Sequence, residues 1–280
     1  MIMAAAGKLG LITPTVKASV YIPGINITGW SLVYFSIGIV IAALVHELSH
    51  AYTAIVHGIP VKGMGFAFIL VLPIAFTEIE EDIYKKSSLR GKILTLIAGP
   101  ASNTCVALLV MILIPFIISA PGLTVIDVEP NGPADKAGLK PYTIILRVNN
   151  EPATLENLQK YIKKVNETVE ISLQVWSDNG VQTINVTKPT GYTRIGIIIT
   201  GYIPSTRLVK ILGVSMAIHT VSLIQWIYII NFSLALINIA PLFITDGGKI
   251  AYEIFRNKNI SHIINTATLA LLIIALAPIP

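Results

Sequence analysis

Long runs without a charged residue set the strongest limit on what this chain can fold into. Four such runs occur in the 280 residues, at 18–45, 93–120, 211–245 and 263–280. A helix rises about 1.5 Å per residue, so the first three can cross a hydrocarbon core of ~30 Å and the last nearly can. Composition agrees, because 54% of the residues are hydrophobic and only 12% are charged. We therefore predict an α-helical polytopic protein of the cell membrane, with about four spanning segments and the lipid bilayer as a partner.

Charge and cysteine usage exclude other classes. The formal net charge is +5, but the basic residues lie beside the apolar runs or are spread over a polar middle, without a stripe or interleaved aromatic residues. We therefore expect no binding to nucleic acid. The single cysteine, Cys105, lies within an apolar run, which excludes a disulfide framework and a cysteine-based metal site.

The first apolar run leads into the sequence His46-Glu47-Leu48-Ser49-His50, an HExxH motif. If residues 32–56 form one helix, the two histidines are four apart on one face and can bind a single Zn²⁺, while Glu47 can address a water molecule. A charged glutamate beside a spanning segment is costly and indicates function. The alternative is a chance match in which both histidines are merely packed or hydrogen-bonded.

Two further polar residues interrupt or end apolar runs. Asp246 follows the third run directly, and a buried lone aspartate needs a counter-charge, which a zinc ion held by two histidines would supply. Its alternative role is a helix cap. Asn103 lies inside the second run, where it either forms a hydrogen bond between helices or contacts a substrate.

Between and beyond these spans the pattern changes. Residues 61–82 are rich in β-formers and contain Pro73, which predicts a membrane-associated β-hairpin that must lie against protein or at the membrane surface. The charged residues that follow, from Glu78 to Lys92, are expected to form a solvated loop. Residues 122–189 have the alternation and turns of a soluble α+β domain, with a good hairpin turn at Asp178-Asn179-Gly180.

Basic residues in the short loops predict the orientation. Segment 57–92 holds five Lys or Arg residues and segment 247–262 holds three, so both should face the cytoplasm. This places the candidate metal ligands toward the cytoplasmic side and the middle domain outside the cell.

Two resemblances follow from these motifs. The middle domain, with Gly132-Pro133-Ala134-Asp135-Lys136-Ala137-Gly138-Leu139, resembles a circularly permuted PDZ domain of the kind found in proteases. Such domains bind extended peptides at a sheet edge, and the alternative is a structural insert with no peptide ligand. The HExxH at 46–50, the NxxPxxxxDG at 238–247 and the AGPASN at 98–103 together closely resemble the site-2 protease family of intramembrane zinc metalloproteases.

The family resemblance implies roles for individual residues. His46, His50 and Asp246 would bind one Zn²⁺ per chain, and Glu47 would be the general base toward a zinc-activated water. Asn238 would hold the substrate backbone, and Asn103 is a second candidate for substrate binding. The substrate would be a transmembrane protein, cut in regulated intramembrane proteolysis, in some cases after an upstream site-1-type protease has made a first cut.

These inferences give one predicted organisation. It has a lead-in at 1–30, a first membrane part at 31–120, a PDZ-like domain at 121–190 that acts as a substrate size filter, and a second membrane part at 191–280. The competing functional classes are a membrane metal transporter and a catalytically inactive membrane PDZ adaptor. A transporter would need polar residues along a path across the bilayer, whereas the candidate ligands here lie at one depth.

Overall fold

The computed structural model describes residues 27–69, 72–255 and 257–276, so most of the predicted lead-in at 1–30 lies outside the described residues. The elements in chain order are α1 (Gly29–Val56), β1 (Val61–Ile69), β2 (Leu72–Ile79), α2 (Glu81–Lys86), α3 (Leu89–Ile117), β3 (Ile118–Val128), α4 (Pro133–Lys136), β4 (Thr143–Val148), β5 (Glu151–Pro152), α5 (Leu155–Ile162), β6 (Val169–Ser177), β7 (Gly180–Lys188), β8 (Ile197–Pro204), α6 (Thr206–Leu212), α7 (Val214–Ile239), α8 (Asp246–Phe255) and α9 (Lys258–Leu276).

The described residues form two compact units. The first unit contains the described residues up to Val110 and those from Gln225 onward, and the middle unit is Met111–Ile224. Four helices, α1, α3, α7 and α9, are long and apolar enough to cross a membrane, which confirms the predicted polytopic helical architecture. The fourth helix begins at Lys258, earlier than its charge-free run, because Asn257 accepts a hydrogen bond from the backbone of Asn259 and caps a polar first turn.

The chain turns sharply at the end of α1, just beyond the HExxH motif. Gly58 has φ +73° and donates its N–H to Ile55, while the N–H of Ile59 returns to the carbonyl of Ala54. This pair of bonds is the Schellman arrangement, which requires a left-handed residue and therefore favours glycine. Ile59 is fully buried against the unit and fixes the direction in which the chain leaves the helix.

Strands β1 and β2 then form an antiparallel pair in the region where the sequence predicts a hairpin, with Phe66 opposite Ala75. The charged segment that follows is not the loop expected from its composition, because Glu81–Lys86 forms the short helix α2. Its acidic residues lie in the first turn and its basic residues in the last, the arrangement that complements the helix dipole. Lys85 Nζ lies 2.9 Å from Glu81 Oε1, one helical turn away.

The middle unit is built on an antiparallel sheet with the strand order β7-β6-β4-β3-β8, and β5 pairs with β4. Its core consists of alternate apolar side chains from several strands together with Leu139 and Leu158. The sheet extends beyond the predicted domain range of 121–190, because β8 pairs with β3 along most of its length. Asp178, in the predicted hairpin turn, accepts a 2.6 Å hydrogen bond from the N–H of Val214 and caps the start of α7.

Candidate metal centre

The two histidines of the HExxH motif and Asp246 lie together in the first unit. His46 and His50 are one turn apart on α1, and their Nε2 atoms are 3.0 Å from each other. Asp246, the first residue of α8, places its Oδ2 atom 3.1 Å from both Nε2 atoms. All three residues are largely buried, so the structure brings together the three ligands that the sequence predicts.

Hydrogen bonds behind each ring determine which nitrogen carries the proton. The Nδ1 atom of His50 lies 2.6 Å from the carbonyl oxygen of Thr95, which can only accept, so Nδ1 is the donor. The Nδ1 atom of His46 lies 2.6 Å from Oδ1 of Asn103 and is also a donor. In the neutral rings both Nε2 atoms therefore present lone pairs toward the carboxylate.

Three electron-pair acceptors that converge at such short distances repel one another unless a cation lies among them. Two imidazole nitrogens and one carboxylate oxygen are a usual protein ligand set for catalytic Zn²⁺, which keeps its fourth position open. Tetrahedral zinc with bonds of about 2.0–2.1 Å separates neighbouring ligand atoms by roughly 3.3 Å, close to the observed distances. The residues present therefore fit a zinc ion.

Gly99 on α3 makes the room that this centre needs. A Cβ atom placed on Gly99 would lie 2.6 Å from Nε2 of His46 and closer still to Nε2 of His50, distances that real Cβ contacts do not show. Any side chain at this position would meet the two ligand atoms on the side where they converge. The small residues of the AGPASN segment are thus explained by contact with the metal ligands as well as by close helix packing.

Asp246 is positioned by the turn that precedes it. Thr245 caps α8, since its Oγ1 accepts a 3.3 Å hydrogen bond from the N–H of Gly248 and donates to the carbonyl of Ala240 at 2.6 Å. Gly247 and Gly248, which follow Asp246, pack against main-chain atoms. A Cβ on Gly247 would lie only 2.7 Å from the Ala240 oxygen. Thr245 was not among the predicted residues, although a threonine directly before a helix start is a usual capping signal.

The far end of α8 is tied to α3 by a half-buried ion pair. Lys92 Nζ lies 3.1 Å from Glu253 Oε2, and the two side chains are only 14% and 17% exposed. The ammonium also lies 5.4 Å from the centre of the Tyr84 ring. Burial, together with the negative charges of Glu253 and Asp246, raises the pKa of Tyr84 well above its usual range, so this tyrosine stays neutral. Helix α8 is therefore held at both ends.

Asn103 does not have the surroundings of a substrate contact. It is fully buried, and its amide N–H groups donate 2.9 Å hydrogen bonds to the carbonyl of Ala42 and to Oδ1 of Asn231. Its oxygen faces His46, so no polar atom of the side chain is directed toward a substrate. These contacts favour the alternative prediction for Asn103, a hydrogen bond between helices, and add Asn231 as a candidate that was not predicted.

Glu47 and Asn238 lie at a cavity of about 650 Å³ that also contains the three ligands. One wall comes from strand β2, with Ala75, Phe76 and Thr77, and the hydroxyl of Thr77 donates a 3.0 Å hydrogen bond to the backbone oxygen of Glu47. The cavity has the size of a small-ligand site and is mostly apolar around a few polar groups. The Glu47 carboxylate and the three candidate metal ligands thus line the same cavity.

Comparison with known proteins agrees with this geometry. The family model described as peptidase family M50 matches residues 34–276, a range that includes His46, His50 and Asp246. An uncharacterized protein of Methanocaldococcus jannaschii, MJ0971, is 30% identical over 215 residues, which make up 75% of this chain and 54% of the relative. The chain thus spans about half the length of this curated relative.

We expect the purified protein to bind one Zn²⁺ per chain and His46→Ala and Asp246→Ala to lose it, because each variant leaves only two ligands. Metal analysis by mass spectrometry after equilibrium dialysis measures this stoichiometry. Ser36→Ala is the control, since its hydroxyl bonds only to its own helix, at Leu32. Stoichiometric zinc retained in both variants would exclude His46 and Asp246 as zinc ligands.

A second expected outcome concerns Gly99. The Gly99→Ala variant should bind zinc at least about tenfold more weakly, because the added methyl group displaces the ligand nitrogens. Gly91→Ala is a matched control on the same helix, where a Cβ would meet its nearest neighbour at 3.3 Å. Zinc competition titrations compare the two; equal affinities would show that Gly99 is not needed to shape the site.

Proposed function

Because the chain belongs to peptidase family M50, the site-2 protease family, we propose that it is an intramembrane zinc metalloprotease. It would hydrolyse peptide bonds within or near the transmembrane segments of other membrane proteins. The observation that carries this proposal is the convergence of His46, His50 and Asp246 in a cavity that Glu47 also lines. The open fourth position of such a centre is what a hydrolytic site requires, whereas a structural zinc site has four protein ligands.

In this proposal the residues of the chain have distinct tasks. Zinc, when bound, supplies a Lewis acid for the scissile carbonyl and for the attacking water. The Glu47 carboxylate accepts a proton from that water and returns it to the amide nitrogen that leaves. Asp246 and the two histidines hold the metal, while Asn103 and the Thr95 carbonyl orient the histidine rings.

The cavity walls suggest how a substrate is held. A transmembrane helix hides its carbonyl groups in its own hydrogen bonds, so the cleaved segment must be unwound before hydrolysis. Strand β2 forms one wall of the cavity and, among the strands that the structure describes, pairs with β1 alone, along one of its edges. We propose that an extended substrate segment pairs with the other edge, as peptides do in β-augmentation, and that Asn238, which also lines the cavity, bonds to its backbone.

The Glu47→Gln variant should keep its zinc and its fold but lose nearly all proteolysis. The amide preserves the size of the side chain and removes the base, so turnover falls rather than substrate binding. Cleavage of a transmembrane substrate in detergent or proteoliposomes measures this. Glu78→Gln is the matched control, because Glu78 is an exposed glutamate of β2 that is not among the residues lining the cavity. Activity within about tenfold of wild type, or about 1.4 kcal/mol of barrier, would exclude Glu47 as the base.

We further propose that the middle unit is PDZ-like, lies outside the cell and acts as a size filter for substrates. The basic loops that should face the cytoplasm flank the segments that carry the metal ligands. Residues 122–189 contain no histidine or cysteine, so this domain has few residues suited to metal binding. Substrates would then need a first cut by another protease before they are admitted.

Substrates of graded size test the filter and its sidedness together. A folded domain fused to the outer end of a single-span substrate should lower its cleavage by at least about tenfold, equal to about 1.4 kcal/mol. The same domain fused to the cytoplasmic end is the control and should have little effect. Equal cleavage of both fusions would contradict the filter, and inhibition by the cytoplasmic fusion alone would contradict the orientation.

A further inference from the structure

A chain of side-chain hydrogen bonds leads from His46 away from the cavity. The Nδ1 atom of His46 donates to Asn103, Asn103 donates to Oδ1 of Asn231, and Asn231 donates to the carbonyl of Ile227 at 2.8 Å. Both asparagines are fully buried, in helices that are candidate membrane spans. Polar groups at such positions are costly unless they are satisfied, and they indicate function.

The direction of every bond in this chain is determined at its ends. The carbonyls of Ile227 and Ala42 belong to helix backbones and can only accept. Asn231 must therefore turn its amide N–H toward Ile227 and its oxygen toward Asn103. Asn103 in turn directs both of its N–H groups to Ala42 and Asn231, which leaves only its oxygen for His46.

This direction decides how His46 can act. An oxygen facing Nδ1 selects the tautomer that carries its proton on Nδ1 and leaves a lone pair on Nε2 for the metal. If the Asn103 amide were reversed, an N–H group would face Nδ1, the proton would move to Nε2, and the ring could not bind a cation there. The reversed amide would also set its oxygen 2.9 Å from the Ala42 oxygen and from Oδ1 of Asn231.

His50 has no such dependence. Its Nδ1 donates to a backbone carbonyl, that of Thr95, which cannot be reversed. Of the two histidine ligands, only His46 relies on a side-chain amide that has two possible orientations.

We propose that Asn231 is a positioning residue that selects the metal-binding tautomer of His46 by fixing the orientation of the Asn103 amide. The inference rests on the metal centre of the proposed function and does not depend on which substrate is cleaved. Asn231 is not among the residues that line the cavity, and its side-chain hydrogen bonds in the described structure join it to Asn103 and to its own helix at Ile227.

Two variants of Asn231 separate this role from simple packing. Asn231→Leu removes the acceptor and lets Asn103 reverse at smaller cost. Asn231→Asp keeps the shape and an acceptor oxygen, and its protonated form can still donate to Ile227. Thr220→Val is the control, because it removes a side-chain bond to the Met216 carbonyl on the same helix without contact to Asn103.

The readouts are the tautomer in metal-free protein and the affinity for zinc. Nitrogen-15 NMR of histidine-labelled protein, with His46 assigned by difference from His46→Ala, distinguishes a protonated Nδ1 from a protonated Nε2. We expect Asn231→Leu to populate the Nε2-protonated form of His46 and to bind zinc about tenfold more weakly. Asn231→Asp and Thr220→Val should keep the wild-type tautomer and stay within about threefold in affinity.

A second starting protein, the Asn103→Asp variant, keeps the test decisive if Asn231→Leu folds poorly. Asn103→Asp presents an oxygen to His46 whichever way the side chain turns, so the tautomer of His46 should no longer depend on residue 231. Wild-type protein that binds zinc while Asn231→Leu shows an unchanged tautomer and affinity would overturn this inference alone. Wild-type protein that binds no zinc would overturn the metal centre and, with it, the proposed function.

Discussion

The repulsion among three electron-pair acceptors is the constraint on which the first unit depends. Oδ2 of Asp246 and the Nε2 atoms of His46 and His50 lie 3.0–3.1 Å from one another, inside a bundle of apolar helices. A metal cation among these atoms would relieve the repulsion at a site where the carboxylate is largely removed from solvent. The ligand helices, the capped turn before Asp246 and the glycine facing the ligands are all required to keep these atoms converged.

Much of the polar structure around the centre consists of acceptors that receive hydrogen bonds from its histidine rings. The two histidine rings are each held from behind, one by the Thr95 carbonyl and one by Asn103. Outer-shell bonds of this kind orient a ligand and raise its basicity. Asn103 and Asn231 therefore do more than join helices. Their amide N–H groups donate to the backbone carbonyls of Ala42 and Ile227, and these bonds determine which atom of Asn103 faces the ring of His46.

Glycine has two separate uses in this protein. Gly58 adopts the positive φ that ends α1 beyond the motif. Gly99 and Gly247, in contrast, lie where a side chain would not fit. The first use is conformational and the second is steric, because neighbouring atoms occupy the space where a Cβ would lie. The consequence is that histidines on α1 and a carboxylate on α8 can approach the same point without strain in either helix.

The sequence by itself determined the apolar spans, the shared helix face of His46 and His50, and Asp246 as a candidate ligand, because these depend on local spacing and on the cost of charge in an apolar run. It also predicted the hairpin and most strands of the middle unit, whose alternation has a period of two. Only the tertiary structure decided that Asn103 bonds to His46 rather than to a substrate, that Asn231 lies behind it, and that Gly99 faces the ligands. These partners are separated by 57 residues for Asn103 and His46 and by 128 for Asn103 and Asn231. Sequence patterns record which residues are buried, whereas the orientation of an amide depends on the atoms that a distant helix places against it.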